Sequence, residues 1–186
     1  LAPRLHSGSI VATEIAQFSA LVDRTRLFVI SAPALSDTVS VHAAFAGNSA
    51  ASEFPGPVTN PATPRNLQVE MGPGWDGGDV TVVGTRLGSE QTETFATGSG
   101  VTRVGTKVFD TVASASKAAV GASAATASIG VGNKLGIPEP MADAVSAILY
   151  VDNAAEPGII DLGQAAFTPT VTLPDGVAVY ALLANI

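Results

Sequence analysis

Arg65-Asn66-Leu67-Gln68-Val69-Glu70-Met71 alternates by kind, with Leu67, Val69 and Met71 apolar and Asn66, Gln68 and Glu70 polar. Successive side chains of a strand point to opposite faces, so this period of two predicts a half-buried β-strand. The segments around it repeat the theme. Downstream, GPGWDGGD (72–79) predicts a turn, because glycines supply positive φ and Asp76 and Asp79 can cap backbone amides. Asp79–Gly84 and Gln91–Ala96 then predict a hairpin around Thr85–Glu90, with Val80, Val82, Thr92 and Thr94 suited to a pleated surface. Thr97–Thr102 is a second turn, and Val104–Val112 a further strand. Ser114–Ala125 is rich in Ala and Ser and reads either as a short helix or as a loop.

Thr126–Val131 is again strand-like, and GNKLGIPEP (132–140) is a loop closed by Pro138 and Pro140. Strands are expected at Ala144–Asp152, Ile159–Leu162, Phe167–Leu173 and Val177–Leu183, with turns at NAAEPG and at Pro174-Asp175-Gly176. Pro169 inside one of them argues for an edge or a bulge, since proline donates no ladder hydrogen bond. Upstream, residues 47–64 hold four prolines and two glycines and form a loop. Thr38–Ala46 alternates, placing Val39, Val41, Ala43 and Phe45 on one face and Thr38, Ser40 and His42 on the wet one. Arg26–Ala32 is a strand ended by Pro33. In Ile10–Val22 the apolar residues Ile10, Val11, Ile15, Phe18, Leu21 and Val22 are spaced near the helical period; an extended arm on a neighbouring subunit is the competing reading. About ten short strands with frequent turns predict an all-β fold, a β-sandwich or β-barrel over 27–186, preceded by an extended or short-helical N-terminal arm over 1–26.

Composition limits what such a fold does. The 186-residue chain is 46% hydrophobic but only 13% charged, about half the usual quarter. Disorder needs low hydrophobicity and high charge, and a coiled coil needs many charged helix formers, so neither is expected. Nine Lys and Arg against sixteen Asp and Glu leave a net charge of -7, which argues against a nucleic-acid partner. No apolar run is long enough for a membrane span, and LAPRLHSGSI shows no charged region leading into an apolar one, so no membrane contact or signal peptide is expected. Zero Cys excludes a disulfide framework, a thiolate metal site and a cysteine nucleophile. The shortage of charge fits a surface partly covered by other chains; a monomer surfaced with Ser, Thr, Gly and Ala is the alternative.

Residues that could carry chemistry are few. Trp75-Asp76-Gly77-Gly78-Asp79 has the ingredients of a calcium or sugar loop, but lacks alternating acidic ligands and reads better as a capped turn. Gly130-Val131-Gly132-Asn133-Lys134 has part of a phosphate loop but not its spacing or following helix, and reads as a strand end with a turn. His6 and His42 lie far apart with no motif around them, and no Gly-x-Ser-x-Gly elbow offers a nucleophile. Glu70, Glu90 and Glu93 lie on or beside strands, as glycosidase carboxylates do, but 5% aromatics make sugar platforms scarce. No catalytic, cofactor-binding or metal-binding residue is expected, and the chain is read as not an enzyme.

Five segments in order carry a family resemblance. Asn60-Pro61-Ala62-Thr63-Pro64-Arg65-Asn66-Leu67-Gln68-Val69 resembles an N-P-x-x-P-R-N-hydrophobic-x-V segment of small β-rich structural proteins of tailed bacteriophages. Val80–Thr85 resembles their V-x-V-x-G-T strand, and Thr92–Phe95 the following T-E-x-hydrophobic strand. Val104–Val112 resembles hydrophobic-x-G-T-K-x-F-x-T-V, and Gly130–Pro138 resembles G-x-G-D/N-K-L-G-L-P. The tail at Leu173-Pro174-Asp175-Gly176 is compatible, while residues 1–59 match less well. The resemblance implies a virion component on the capsid exterior: a decoration (cement) protein, commonly a homotrimer, bound to the major capsid protein. A head-fibre, adhesin or tail-associated binding module is the alternative. The family supplies no catalytic residues, and Arg65 reads as a packing residue before a partner of a capsid carboxylate. Under this reading Asp and Glu gather on the outward face, while Ala, Val, Thr and Gly line the contacts.

Overall fold

The computed structural model describes residues 25–50, 53–54, 56–142, 148–152 and 154–185. The expected arm over 1–26 and its helix at Ile10–Val22 lie outside these residues, except that the first strand already begins at Thr25. The described chain is all-β, with a curled half-barrel among its sheets. Thirteen strands run in order: β1 (Thr25–Ser31), β2 (His42–Ala46), β3 (Arg65–Met71), β4 (Val80–Arg86), β5 (Ser89–Phe95), β6 (Val101–Phe109), β7 (Thr111–Lys117), β8 (Thr126–Gly136), β9 (Ile148–Val151), β10 (Ala154–Glu156), β11 (Gly158–Asp161), β12 (Ala166–Pro169) and β13 (Val179–Asn185).

They form three antiparallel sheets. The largest runs β11-β12-β8-β3-β6, with β2 also on β8; the smallest is β5-β4-β7; the third is β1-β13-β9-β10. The large and small sheets share one core. Leu67, Val69 and Met71 from β3 and Ile129 and Val131 from β8 meet Val80 and Val82 from β4, Phe95 from β5 and Val112 from β7. The alternation in Arg65–Met71 thus points its apolar residues inward as expected, and Leu67, Val69 and Met71 are fully buried. A second core lies under the third sheet, where Phe28, Leu149, Val151, Tyr180 and Leu182 pack on Leu135, Ile137 and Phe167.

Several expected boundaries move for physical reasons. Val104–Val112 is two strands rather than one. The chain turns at Asp110 and passes from the large sheet, as β6, into the small one, as β7. That strand then occupies Thr111–Lys117, so the Ser114–Ala125 segment begins as strand. The loop expected from Gly132 starts later, because β8 continues to Gly136. Ala154–Glu156, expected in a turn, pairs with β9 as β10. The hairpin expected around Thr85–Glu90 tightens to Leu87-Gly88, both at positive φ (50° and 78°), the geometry of the two-residue turn whose twist matches paired strands.

The largest departure is in Thr38–Ala46. Only His42–Ala46 is strand, and its register against β8 steps from His42 opposite Ile129 to Phe45 opposite Ala127. One extra residue on β2 makes a bulge and reverses the facing. Val41, His42 and Phe45 are buried, while Val39 and Ala43 are exposed. His42 therefore sits inside and not on the wet face. Its ring meets Phe54 edge-on at 5.2 Å, and its Nδ1 donates to the Ala43 carbonyl at 2.6 Å.

Candidate functional site

The densest polar construction in the body is built on Arg65 and Asn66, at the start of β3. Between Asn66 and Gln68, β3 advances two residues while its partner on β6 moves from Val108 to Val104. Between Arg65 and Leu67, the partner on β8 moves from Leu135 to Val131. Both neighbours therefore carry extra residues at the same level, Gly105-Thr106-Lys107 on one side and Gly132-Asn133-Lys134 on the other. Such bulges leave backbone groups without ladder partners. The buried Asn66 amide supplies them. Its Nδ2 donates to the Gly105 carbonyl at 2.8 Å, and its Oδ1 accepts from the Lys134 amide at 2.9 Å. A Cβ at Gly132 would lie 2.5 Å from Asn66 Oδ1, so the close approach requires glycine.

Arg65 works beside it. Its guanidinium donates to the carbonyls of Ala34 and Gly132, while its Nε has no partner among the described residues. Burial draws the guanidinium down to about 10, partly offset by Asp37 and then Tyr180. Asn60 Oδ1 accepts from the Val112 amide at 2.8 Å, and the Pro64 carbonyl accepts from the Gly136 amide at 2.8 Å. Residues 60–66 thus stitch β7, β6 and β8 together. Arg65 also borders a cleft of about 360 Å³ between Pro33, Asp37, Thr59 and Pro61.

Two further groups serve the same purpose. Glu93 faces inward from β5, and its Oε1 accepts from the Thr106 amide at 2.6 Å and from the Thr106 hydroxyl and Lys107 amide at 3.2 and 3.3 Å. Arg86 is buried where the β4–β5 hairpin meets the turn at Asp110. It donates through Nη1 to Asp110 Oδ1 at 2.6 Å, through Nη2 to the carbonyls of Ile137 and Ala165 at 2.6 and 2.7 Å, and through Nε to Gln164 at 2.9 Å. One cation so joins four segments that are remote in sequence, in charge-assisted bonds stronger than neutral ones. Neither Arg86 nor Asn66 was singled out by sequence reasoning. A signal was present for Asn66: glycines within two strand patterns, in the similar triplets Gly105-Thr106-Lys107 and Gly132-Asn133-Lys134, mark bulges.

The groups weighed as chemical sites are placed apart. Trp75 is buried, with its indole Nε1 donating to the Gly78 carbonyl at 2.8 Å. Asp76 Oδ2 accepts from the amides of Ala122 and Ser123 at 2.7 and 2.9 Å, and Asp79 Oδ1 from the Thr97 amide at 2.8 Å. These carboxylates organise loops. Gly130–Lys134 lies within β8 as a bulge, not as a strand end, and Lys134 Nζ donates to the Thr106 carbonyl at 2.6 Å and to Asp161 at 2.8 Å. Glu70 accepts from the Thr38 hydroxyl at 2.6 Å. Glu90 is exposed and Glu93 buried, on opposite faces of β5, so they form no pair across a substrate. His6 lies outside the described residues.

Among the described residues, no group of three or more His, Cys, Asp or Glu could hold a metal ion, and no helix is long and apolar enough to cross a membrane. Arg65, Asn66, Arg86, Glu93 and Lys117, polar side chains that the fold buries, all bind its own backbone. No family model, curated protein or solved structure matches this chain.

Proposed function

We propose that the chain is a virion structural protein that binds the outer surface of a phage capsid as a decoration, or cement, protein and stabilises the shell. It has no catalytic activity and no cofactor. Its partners are the major capsid protein and other copies of itself, as a homotrimer. It binds neither nucleic acid nor membrane.

One observation carries the reading: residues of the segments that carry the family resemblance bond one another across strands, mostly within a sheet and, through Glu93, between the small sheet and the large one. Asn66 from the first segment bonds Gly105 of the fourth and Lys134 of the fifth, and Glu93 of the third bonds Thr106 and Lys107 of the fourth. Thr85 of the second shares a hydroxyl bond with Thr111 of the fourth at 2.8 Å. A motif spent on bulges and sheet junctions describes a scaffold, and a scaffold that presents surfaces suits a protein whose work is contact. Decoration sums many modest contacts over a symmetric lattice, so stiffness is worth more than a pocket. The alternative head-fibre or adhesin reading calls for an exposed aromatic platform. All the described Phe residues, Trp75 and Tyr180 are buried, and Tyr150, on the outer face of the third sheet, is half-buried; one such ring makes no platform, which favours the capsid reading.

The test is to add the purified chain to expanded heads that lack it and to reconstruct the particles. Density for the chain on the outer surface, with heads more resistant to heat and to chelator, is the expected result. Heads that bind none of it and gain no resistance overturn the reading.

A further inference from the structure

Among the described residues, the third sheet buries one face and leaves the other uncovered. Phe28, Leu149, Val151, Tyr180 and Leu182 point inward and are buried. The residues between them point outward. Register places Leu27, Leu183 and Ile148 in one row across β1, β13 and β9, and Val29, Ala181 and Tyr150 in the next. Leu27 is 60% exposed, Val29 56%, Ile148 42% and Val179 39%. Ser31 lies opposite Val179 and Ala155 opposite Tyr150, so no outward position described on this sheet, from Thr25 to Ser31 on β1, Val179 to Leu183 on β13, Ile148 and Tyr150 on β9 or Ala155 on β10, carries a charge. Val177, two residues before β13 and 77% exposed, extends the patch.

An antiparallel sheet with one wet face normally turns polar residues outward. A contiguous apolar patch on a soluble domain marks a contact surface. Seven-residue strands give the face a length of roughly 23 Å, and three strands a width of roughly 14 Å, which is the scale of the apolar centre of a standard interface.

We propose that this face is the contact between copies of the chain, each copy turning its own β1-β13-β9 face to that of another. The charge argument selects this occupant. Each copy carries -7, so copies repel except where the surface holds no carboxylate. The outward positions of β1, β13 and β9 meet that condition, with Asp152 and Asp175 beside Val179 and Val177 at one end of the face, and apolar rows are complementary to themselves. Two copies place such sheets face to face about a twofold axis; three copies close them into a prism about a threefold axis. The inference deepens the self-association in the proposed function, whose homotrimer takes the second arrangement.

Sedimentation velocity on the full chain over a micromolar range tests it. A dimer or trimer is expected, with Val29→Lys and the milder Leu27→Ser weakening association at least tenfold. Both positions are exposed in the single copy, so circular dichroism of each variant stays that of the parent. Thr94→Lys, on the outer face of the small sheet, leaves the mass unchanged. Since the chain has no Cys, Ala181→Cys introduces a single thiol at the centre of the face. Its maleimide reaction is expected to be at least tenfold slower in the oligomer than after Val29→Lys is added. A monomeric parent overturns the proposal and leaves residues 1–24, which join β1 at Thr25, or a capsid surface as the occupant. A mass unmoved by Val29→Lys, or equal thiol rates, also overturns it. A monomer that still decorates heads sinks this inference alone; an oligomer that fails to bind them sinks only the capsid reading.

Discussion

The small sheet and the third sheet use the same device inward and opposite devices outward. Each buries alternate apolar residues: Val80, Val82 and Phe95 in one, Phe28, Leu149 and Leu182 in the other. Outward, the small sheet carries rows of hydroxyls. Thr94, Thr81 and Ser116 lie side by side, as do Glu90, Thr85 and Thr111. Thr81 and Thr94 share a hydrogen bond at 3.0 Å. The third sheet carries Leu27, Leu183 and Ile148 at the equivalent positions. The small sheet is also tied to its neighbours by Gln91 and Glu93, whose side chains bond backbone of β6, and by Arg86, which bonds the loop carbonyls of Ile137, Gln164 and Ala165. The third sheet has little of this and depends on apolar burial. The comparison teaches that the solvated outer face goes with polar cross-links, and that the sheet with few of them turns apolar residues outward on its second face.

Breaking the strongest cross-link tests the first half of that statement. Arg86→Met removes bonds to three carbonyls and leaves Asp110 without its cation, so a loss of about 3–5 kcal/mol is expected in urea unfolding. A loss below about 1 kcal/mol would show that the small sheet does not need this tie. Asn66→Ala leaves the Gly105 carbonyl and the Lys134 amide buried without partners and is expected to cost about 2 kcal/mol.

In the third sheet the corresponding polar group is the Tyr180 hydroxyl, which donates to the Thr172 carbonyl at 2.9 Å. Burial first, then Asp175, Glu156 and Asp152, push it up to about 12 from the usual 10.0. The folded state therefore holds the phenol proton over a window in which the unfolded chain has released it. Tyr180's contribution is complete below pH 10 and is lost as pH rises towards 12. Tyr180→Phe is expected to cost about 1 kcal/mol at neutral pH and to flatten the alkaline fall in stability. It also removes the late phase from the tyrosinate absorbance titration; an unchanged titration refutes the assignment.

The smallest effects lie in the small sheet's hairpin and on its surface. Leu87 holds a φ of 50°, which Asn tolerates better, so Leu87→Asn is expected to stabilise by about 0.5 kcal/mol. Thr94→Val is expected to change stability by less than about 0.5 kcal/mol, since its hydroxyl bond is exposed. A larger loss would give the hydroxyl rows a structural role beyond keeping that face wet.

Some of this was legible beforehand. Leu67, Val69 and Met71 follow their period because β3 is central in its sheet and covered on the face they share. The Trp75–Asp79 segment reads as a capped turn, and Asp76 and Asp79 do bond loop amides. His42 was misplaced because a single extra residue in β2 shifts the facing, and a bulge depends on the partner strand rather than on local sequence. The break at Asp110 was hidden because the residues on both sides favour strand. What holds the bend there is Arg86 and the Leu87 amide, which donate from another hairpin to the Asp110 carboxylate.

The sequence by itself determined the class of fold, most strand and turn positions, the absence of thiol chemistry and the scarcity of charge. Period-two alternation and turn residues are local properties of the chain, so they can be read without partners. The tertiary structure decided which face of each strand is covered, how Asn66, Arg65 and Arg86 are spent, and that the third sheet turns Leu27, Val29 and Ile148 outward. Alternation divides a strand into two faces; only its long-range neighbours decide which of the two is covered, and in the third sheet the described residues cover just one.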